Sequence, residues 1–213
     1  MKKGCILCLL ISVISLPLIA QNIIYSNLKE LLAQHGDTTA VLRVEKRSRN
    51  QIVLTGGADY RITAGDDESM CRRLKKRCFA VRDEKGDLYL NCRKLRYKKL
   101  RFGAWYAPAV QLGKNIYFCA MPLGSVIGGN FVEEDDVKLG GNIGDALAAS
   151  SLVTKRVCYE LNGETGKVDF LGKDKMLQLL KNYPELKQAY LKDDSQEAKH
   201  TFKSVSYTHL RAH

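Results

Sequence analysis

Apolar and polar residues alternate most regularly between residues 79 and 121, and this alternation predicts a meander of short antiparallel strands. The predicted strands are 79–82, 88–92, 100–106, 110–112 and 116–121. Two of them place three apolar residues on one face: Leu88, Leu90 and Cys92, and Ile116, Phe118 and Ala120. The strand over 100–106 would place Phe102 and Tyr106 on one face and Trp105, the only tryptophan, on the other. Pro108 is expected at a strand end or edge because it has no N–H to donate.

The residues before the meander predict two helices and three further strands. The first helix is expected to be capped by Ser26 and stopped by Gly36, with His35 packed in its last turn. Strands are predicted over 41–46, 51–55 and 58–63, and the short turns between them favour antiparallel pairing. A second helix is predicted over 66–77, because acidic residues crowd its first turn and basic residues its last turns.

After the meander the chain changes character. Six glycines and an acidic run punctuate 122–151, which predicts a surface excursion from the sheet. A hairpin with its turn at 162–166 and two helices follow, the first capped by Asp174 and the second beginning at Pro184. The expected fold is therefore α+β. It comprises a mainly antiparallel, curved β-sheet, an N-terminal helix, and a C-terminal hairpin plus helix pair.

Both ends of the chain are expected to lie outside the folded protein. Lys2 and Lys3 precede an apolar run that ends at Ala20, which predicts a cleaved signal peptide over 1–20. The run is too short for a stable membrane span, so no transmembrane span is expected in the mature chain. Residues 205–213 resemble one reading frame of a transposase sequencing adapter, and a non-native tail is predicted there. Between these ends we expect a β-rich domain over 21–155 and an appendage of hairpin and helix pair over 156–204.

Composition narrows the chemistry once the ends are removed. Without Lys2, Lys3 and Arg211, 31 of the 34 basic residues remain, against 23 acidic residues, so the net charge is +8. This excess favours acidic partners through non-specific attraction. Only two histidines remain, His35 and His200, which argues against histidine-dependent catalysis and zinc sites.

Five cysteines remain after the same removal, an odd number without CxxC spacing. They are Cys71, Cys78, Cys92, Cys119 and Cys158. Export would permit disulfides, but most of these cysteines lie in or beside apolar strands. Mostly free, buried thiols are favoured over a disulfide framework.

The one candidate binding segment is the basic run that leads to the tryptophan. Basic residues interleaved with an aromatic side chain are typical of a groove for single-stranded nucleic acid or glycan. The candidate anion-binding residues are Arg93, Arg96, Lys98, Lys99, Arg101 and Trp105. A solvated strand edge, protected by lysine against aggregation, explains the same residues and is the favoured interpretation.

No motif predicts a catalytic residue, a cofactor or a metal. Leu139 stands where the dinucleotide fingerprint needs its first glycine, and Leu123 stands where the nucleophile elbow of hydrolases needs glycine. The acidic run at 133–136 lacks the alternating ligands of a calcium loop. An enzyme that works through carboxylates alone stays open as an alternative.

Three segments carry a resemblance to a known family: residues 56–60, residues 89–108, and the closing hairpin with its leucine-rich helices. On these the chain resembles a family of uncharacterised secreted proteins from the Bacteroidetes group. The resemblance implies export to the periplasm, cell surface or medium, and it implies no activity or site. The expected function is that of an exported envelope protein that acts by interaction, with an acidic polymer or another envelope protein as partner. The alternatives are an anion-binding module for a polyanionic glycan or nucleic acid, and a carboxylate-dependent envelope enzyme.

Overall fold

An open antiparallel sheet of ten strands organises the chain. The computed structural model describes residues 21–39, 41–123, 125–127, 130–132, 155–192 and 205. The strands are β1 (Asn22–Tyr25), β2 (Asp37–Thr39), β3 (Arg43–Lys46), β4 (Tyr60–Thr63), β5 (Ala80–Arg82), β6 (Leu88–Asn91), β7 (Arg96–Tyr97), β8 (Leu100–Arg101), β9 (Tyr106–Leu112), β10 (Asn115–Ala120), β11 (Ser125–Ile127), β12 (Asn130–Val132), β13 (Val157–Leu161) and β14 (Val168–Phe170). The helices are α1 (Leu28–Leu32), α2 (Arg49–Thr55), α3 (Glu68–Lys76), α4 (Lys173–Leu179) and α5 (Pro184–Lys192), with a 3₁₀ turn at Cys92–Lys94.

The strand order places the N-terminal strands at one edge of the sheet and the C-terminal hairpin at the other. The order is β14-β13-β10-β9-β6-β5-β1-β2, and β3 and β4 join through β9. The hairpin β7–β8 and the pair β11–β12 stand apart as two small sheets. The predicted α+β class with a mainly antiparallel sheet is confirmed. The predicted signal peptide, most of the excursion and nearly all of the tail lie outside the described residues.

Strand β9 is a fork, because two different strands pair with its outer edge. It pairs with β6 from Tyr106 to Ala109 along one edge. Along the other edge its ladder with β10 ends at Ala109, and its contact with β4 is at Tyr106. The strand runs through Pro108, so the predicted break between 106 and 110 is wrong. Pro108 nevertheless lies between the residues of β9 that pair with β10 and with β4, so this part of the strand is a local edge of the sheet.

Both faces of the central strands are covered. Leu88 and Leu90 of β6 pack into one cluster, while Tyr89 packs into another on the opposite face. In β10, Phe118 likewise belongs to the first cluster and Tyr117 to a third, beneath α4 and α5. This confirms the alternation predicted for these strands, since successive side chains of a strand point to opposite faces.

Three predictions for the N-terminal half are wrong: the strand over 51–55, the cap of the first helix and the packing of His35. Residues 51–55 form the helix α2 rather than a strand, because Ser48 and Gln51 make a reciprocal capping box. In the described part of the chain a strand, β1, precedes the first helix, and α1 is capped by Asn27 rather than Ser26, since the Asn27 Oδ1 accepts from the Glu30 amide at 3.0 Å. His35 is exposed beyond the end of α1 instead of being packed.

The strand predicted over 100–106 is interrupted. Gly103 and Trp105 both have positive φ, 85° and 78°, so the chain kinks between β8 and β9. Phe102 packs into the same cluster as Leu88, whereas Tyr106 packs on the opposite side of the sheet. The predicted shared face of Phe102 and Tyr106 is therefore wrong, because alternation holds only while the backbone stays extended.

The C-terminal hairpin and helix pair are present as predicted. Asn162 closes the turn, since its Oδ1 accepts from the amides of Glu164 and Thr165 at 3.0 and 2.8 Å. Helix α4 begins after Gly172 without a side-chain cap, so Asp174 is not the cap. Val205, in the tail predicted to be non-native, is buried in the cluster of α4 and α5. No helix within the described ranges has both the length and the apolar character needed to cross a bilayer.

Candidate functional site

A cleft of about 400 Å³ opens beside Trp105 on the outer side of the fork, and we call it the Trp105 cleft. Its walls are the β3–β4 ribbon, helix α3, the start of the 3₁₀ turn and the kink before β9. Its lining residues are Arg43, Glu45, Arg61, Ile62, Thr63, Gly65, Asp66, Cys71, Lys75, Asn91, Arg93, Ala104, Trp105 and Tyr106. The volume falls within the range of clefts that hold small ligands.

The β3–β4 ribbon supplies the first wall through simple alternation. Arg43 and Glu45 lie opposite Thr63 and Arg61 in the ladder, so these four side chains share one face. The intervening Val44 packs inward against the cluster beneath α3. The ribbon therefore turns an apolar face to the core and a charged face to the cleft.

Helix α3 supplies the second wall, and the buried residues of the sheet fix its end. Cys71 and Lys75 are four residues apart, which places both on the face toward the cleft. The last carbonyls of the helix need partners, since no intrahelical N–H follows them. The Asn91 side chain donates to Leu74 O at 3.1 Å, and the Tyr106 hydroxyl donates to the same oxygen at 2.8 Å. The wall is thereby tied to strands β6 and β9.

Trp105 sits in a left-handed backbone conformation that is unusual for a large residue. Hydrogen bonds on both sides hold it: Cys92 N donates to Trp105 O at 2.9 Å, and Ala58 N donates to Ala104 O at 2.9 Å. Gly57 lies so close that a Cβ there would be 2.4 Å from Ala104 O and 2.9 Å from Trp105 Cδ1. Such conformations persist only where the surroundings over-determine them, and they concentrate at functional sites.

Arg47 supports the indole from within the protein. Its guanidinium carbon lies 4.9 Å from the centroid of the Trp105 ring, and Arg47 is not among the residues that line the cleft. The guanidinium donates to Gly56 O at 2.8 Å, Ala58 O at 2.6 Å and Gln51 O at 2.9 Å, which closes the end of α2. Burial lowers the pKa of Arg47 from its usual value, and the carboxylate of Asp59 opposes that shift. The cation is thus a structural support for the ring.

Asp59 is itself paired, with the guanidinium of Arg156. Arg156 Nε donates to Asp59 Oδ1 at 2.9 Å and to Oδ2 at 3.0 Å, and Arg156 Nη2 also bonds Oδ1. The pair is largely buried and joins the approach to β4 with the approach to β13.

The charge inside the Trp105 cleft is predominantly positive. Four basic side chains line it, Arg43, Arg61, Lys75 and Arg93, against the carboxylates of Glu45 and Asp66. Among the described residues none of these four basic groups forms an ion pair. The guanidinium carbon of Arg61 lies 5.9 Å from the Trp105 centroid, so a cation and an aromatic face stand together in the cleft. This arrangement can bind an anionic group beside a ring.

The structure divides the six candidate residues from the sequence into two groups. Arg93 and Trp105 line the cleft. The other four are exposed on the two-stranded sheet β7–β8, which we call the basic hairpin: Arg96, Lys98, Lys99 and Arg101. None of these four lines the cleft. The role of all six in binding stays a prediction.

Sequence reasoning missed the other basic residues of the cleft. Alternation places Arg43 on the polar face of its strand, but it does not show that β3–β4 stands opposite α3. The position of Lys75 near the end of α3 is sufficiently explained by the helix dipole, which favours basic residues there. The residues described hold no group of three or more histidine, cysteine, aspartate or glutamate side chains that could bind a metal ion.

Comparison with known families places the chain in one of unknown function. The family model DUF6563, described as a family of unknown function, matches residues 23–209 and so covers most of the chain. The protein therefore belongs to this family. The match runs into the tail, and the non-native origin of that tail stays a prediction. No curated protein and no solved structure matches the chain at a significant level.

Proposed function

We propose that this member of the DUF6563 family is an exported, non-catalytic binding protein whose Trp105 cleft takes an anionic saccharide unit. The observation that carries the proposal is Trp105 itself. A tryptophan held in a strained backbone conformation stands in a cleft with four basic side chains that form no ion pair within the described ranges. Export rests on the charged start and apolar run of residues 1–20.

The mixture of charges favours a sugar over a nucleic acid. Glu45 and Asp66 line the same cleft as the basic residues. Carboxylates accept hydrogen bonds from hydroxyl groups, and they repel the closely spaced phosphates of a nucleic acid strand. A sugar ring that carries a carboxylate, sulfate or phosphate would use both kinds of group, and its apolar face would lie on the indole of Trp105.

The basic hairpin would contribute attraction of a different kind. Arg96, Lys98, Lys99 and Arg101 are exposed and outside the cleft. Exposed charges act over about a Debye length, which is roughly 8 Å at physiological salt, and they are screened as salt rises. We expect them to raise the local concentration of a long polyanion without holding any one unit in place.

The test is titration of the purified full chain with short acidic oligosaccharides, a neutral oligosaccharide of equal length and single-stranded DNA. We expect binding of an acidic oligosaccharide only. Arg61→Gln and Lys75→Gln should each weaken it about 10- to 100-fold, because each removes a charge-assisted hydrogen bond of roughly 1.5–3 kcal/mol. Lys99→Gln is the matched control, since it removes one exposed charge outside the cleft, and it should weaken binding less than about twofold.

Three results would contradict the proposal. Equal losses in Arg61→Gln and Lys99→Gln would mean that attraction is diffuse and the cleft is not the site. Tight binding of single-stranded DNA alone would replace the saccharide by a nucleic acid. New reducing ends released from the bound oligosaccharide would replace a binding protein by a carboxylate-dependent enzyme.

A further inference from the structure

Cys119 and Cys158 face each other across two neighbouring strands of the main sheet. They are direct partners in the β10–β13 ladder, so their side chains leave the sheet on the same face. Their Sγ atoms are 2.9 Å apart. Both residues are buried, at 7% and 3% exposure.

The surroundings of this pair are apolar and closed. The two cysteines belong to the cluster between the sheet and the helices α4 and α5, with Met176, Leu180 and Tyr190 as buried neighbours. Burial raises the pKa of the Cys158 thiol well above its usual value, and contact with Cys119 raises it further. The reactive thiolate is therefore scarce in the folded protein, and exchange through solvent is slow.

We propose that Cys119 and Cys158 form a disulfide when the chain folds in an oxidising compartment. A disulfide needs an S–S length of about 2.05 Å, so the two sulfurs have to approach by roughly 1 Å. Directly paired residues of antiparallel strands meet the Cα separation that a disulfide requires. The pairing does not depend on the ligand of the Trp105 cleft.

The oxidant is a small-molecule or protein disulfide, and glutathione disulfide is the probe. One cysteine thiolate attacks a sulfur of glutathione disulfide and expels one glutathione thiolate, which leaves a mixed disulfide on the protein. The second cysteine attacks the protein sulfur of that mixed disulfide and expels the second glutathione. One S–S bond breaks and one forms, and the two thiol protons pass to the two glutathione thiolates. The cysteine pair loses two electrons and glutathione disulfide gains them.

The bond would close the long connection between β10 and β13. The two cysteines are 39 positions apart in the sequence. Joining residues across a loop of this length restricts the unfolded chain, and this is the main source of the stability that a disulfide gives. It would also hold β13 to β10 beside the Asp59–Arg156 ion pair, which lies at the approach to the same strand.

The deciding experiment uses the unmodified full chain. The protein is unfolded in urea and refolded with reduced and oxidised glutathione at the redox potential of a secretory compartment. It is then alkylated in denaturant and digested. We expect one disulfide-linked pair of peptides, containing Cys119 and Cys158, that separates on reduction. Cys71, Cys78 and Cys92 should be fully alkylated. Full alkylation of Cys119 and Cys158 without reduction would overturn the proposal, and so would a link from either to another cysteine.

A second measurement asks whether the bond matters to the fold. The refolded wild type should lose roughly 5–15 °C in Tm on reduction, as expected for a loop of this size. The double variant Cys119→Ala, Cys158→Ala should show no shift on reduction, while Cys92→Ala should keep the shift. Equal Tm values for oxidised and reduced wild type would contradict the stabilising role. If the double variant does not fold, the linked peptide and the wild-type shift still decide the question.

Discussion

The Trp105 cleft and the basic hairpin each carry four basic side chains, yet they differ in how the chain assembles them. The hairpin collects Arg96, Lys98, Lys99 and Arg101 from six consecutive positions and leaves them exposed. The cleft collects its four from β3, β4, α3 and the 3₁₀ turn, around an indole. A dense run of charge in the sequence therefore marks a surface that is built locally here, whereas the charges around the cleft, which are also exposed, converge from residues that are far apart in the chain.

The same contrast holds for the backbone. Each region contains a non-glycine residue in the left-handed region, Lys98 with φ 52° and Trp105 with φ 78°. Lys98 lies in the exposed turn between Tyr97 and Leu100, where the tight hairpin itself requires the conformation. Trp105 lies between two hydrogen bonds and the close contact of Gly57. Strain in the hairpin is local, and strain in the cleft depends on tertiary packing.

The largest effect is expected from filling the space behind Trp105. Gly57→Ala places a Cβ 2.4 Å from Ala104 O, at a position where φ is 82°. The backbone conformation costs roughly 1–2 kcal/mol for a non-glycine residue, and overpacking adds about 1–3 kcal/mol. Urea unfolding should therefore show a loss of about 2–5 kcal/mol, with a change in the fluorescence of Trp105 in the folded state.

Gly86→Ala is the matched control for that substitution. Gly86 has nearly the same φ, 87°, but nothing lies within 4 Å of its Cβ position. The free energy of unfolding of Gly86→Ala should fall only by the cost of the backbone conformation, about 1–2 kcal/mol. Equal losses in the two variants would mean that the contact with Ala104 and Trp105 does not constrain the kink.

A pair of glycine substitutions compares the two strained residues directly. Trp105→Gly relieves the backbone but removes a half-buried indole and its contact with Arg47, so a net loss of roughly 1–3 kcal/mol is expected. Lys98→Gly relieves the backbone and removes an exposed side chain that lies over Tyr97, so stability should stay unchanged or rise by up to about 1 kcal/mol. Urea unfolding measures both, and a loss in Lys98→Gly as large as that in Trp105→Gly would remove the contrast between the regions.

Alkaline pH should weaken the wall of the cleft through a buried thiol. Cys78 follows the end of α3, and burial raises its pKa from a usual value of 9.0 to about 11, an upward shift that the nearby cations of Arg73 and Lys94 reduce. Because the folded pKa is raised, the unfolded chain loses its proton first. The stability that the protonated Cys78 thiol contributes is fully present below pH 9 and is lost between about pH 9 and 11. The loss should be on the order of 1–3 kcal/mol.

The measurement is urea unfolding at several pH values from 7 to about 11, in wild type and Cys78→Ala. The variant has a lower stability at all pH values because of the cavity, so the slopes are compared rather than the absolute values. A shallower slope in the variant is expected. Identical slopes would show that the thiol does not contribute to the pH dependence.

Elements with complete local signals were predictable from the sequence, and elements that depend on tertiary contact were not. The strands β6 and β10, the helix α3 and the turn at Asn162 all carry their own periodicity or turn residues. The kink at Trp105 could not be foreseen, because the contact that holds it comes from Gly57 in another part of the chain. Helix α2 could have been predicted from the sequence, since the spacing of Ser48 and Gln51 already indicates a capping box.

The candidate site shows the same division. Arg93 and Trp105 could be singled out because they stand in or near a basic, aromatic run. Arg43, Arg61 and Lys75 each have a sufficient local explanation as a charged strand face or a helix end. These charges converge through tertiary contacts, the pairing of β4 with β9 at the fork and the packing of α3 against β4.

The proline at the fork of β9 has a consequence for self-association. An interrupted ladder leaves backbone groups uncovered, and uncovered strand edges recruit strands from other molecules into fibrils. Pro108 occupies the interval between the β10 and β4 ladders and has no N–H to offer an incoming strand. The fork can thus stay open without offering an incoming strand a complete set of backbone partners.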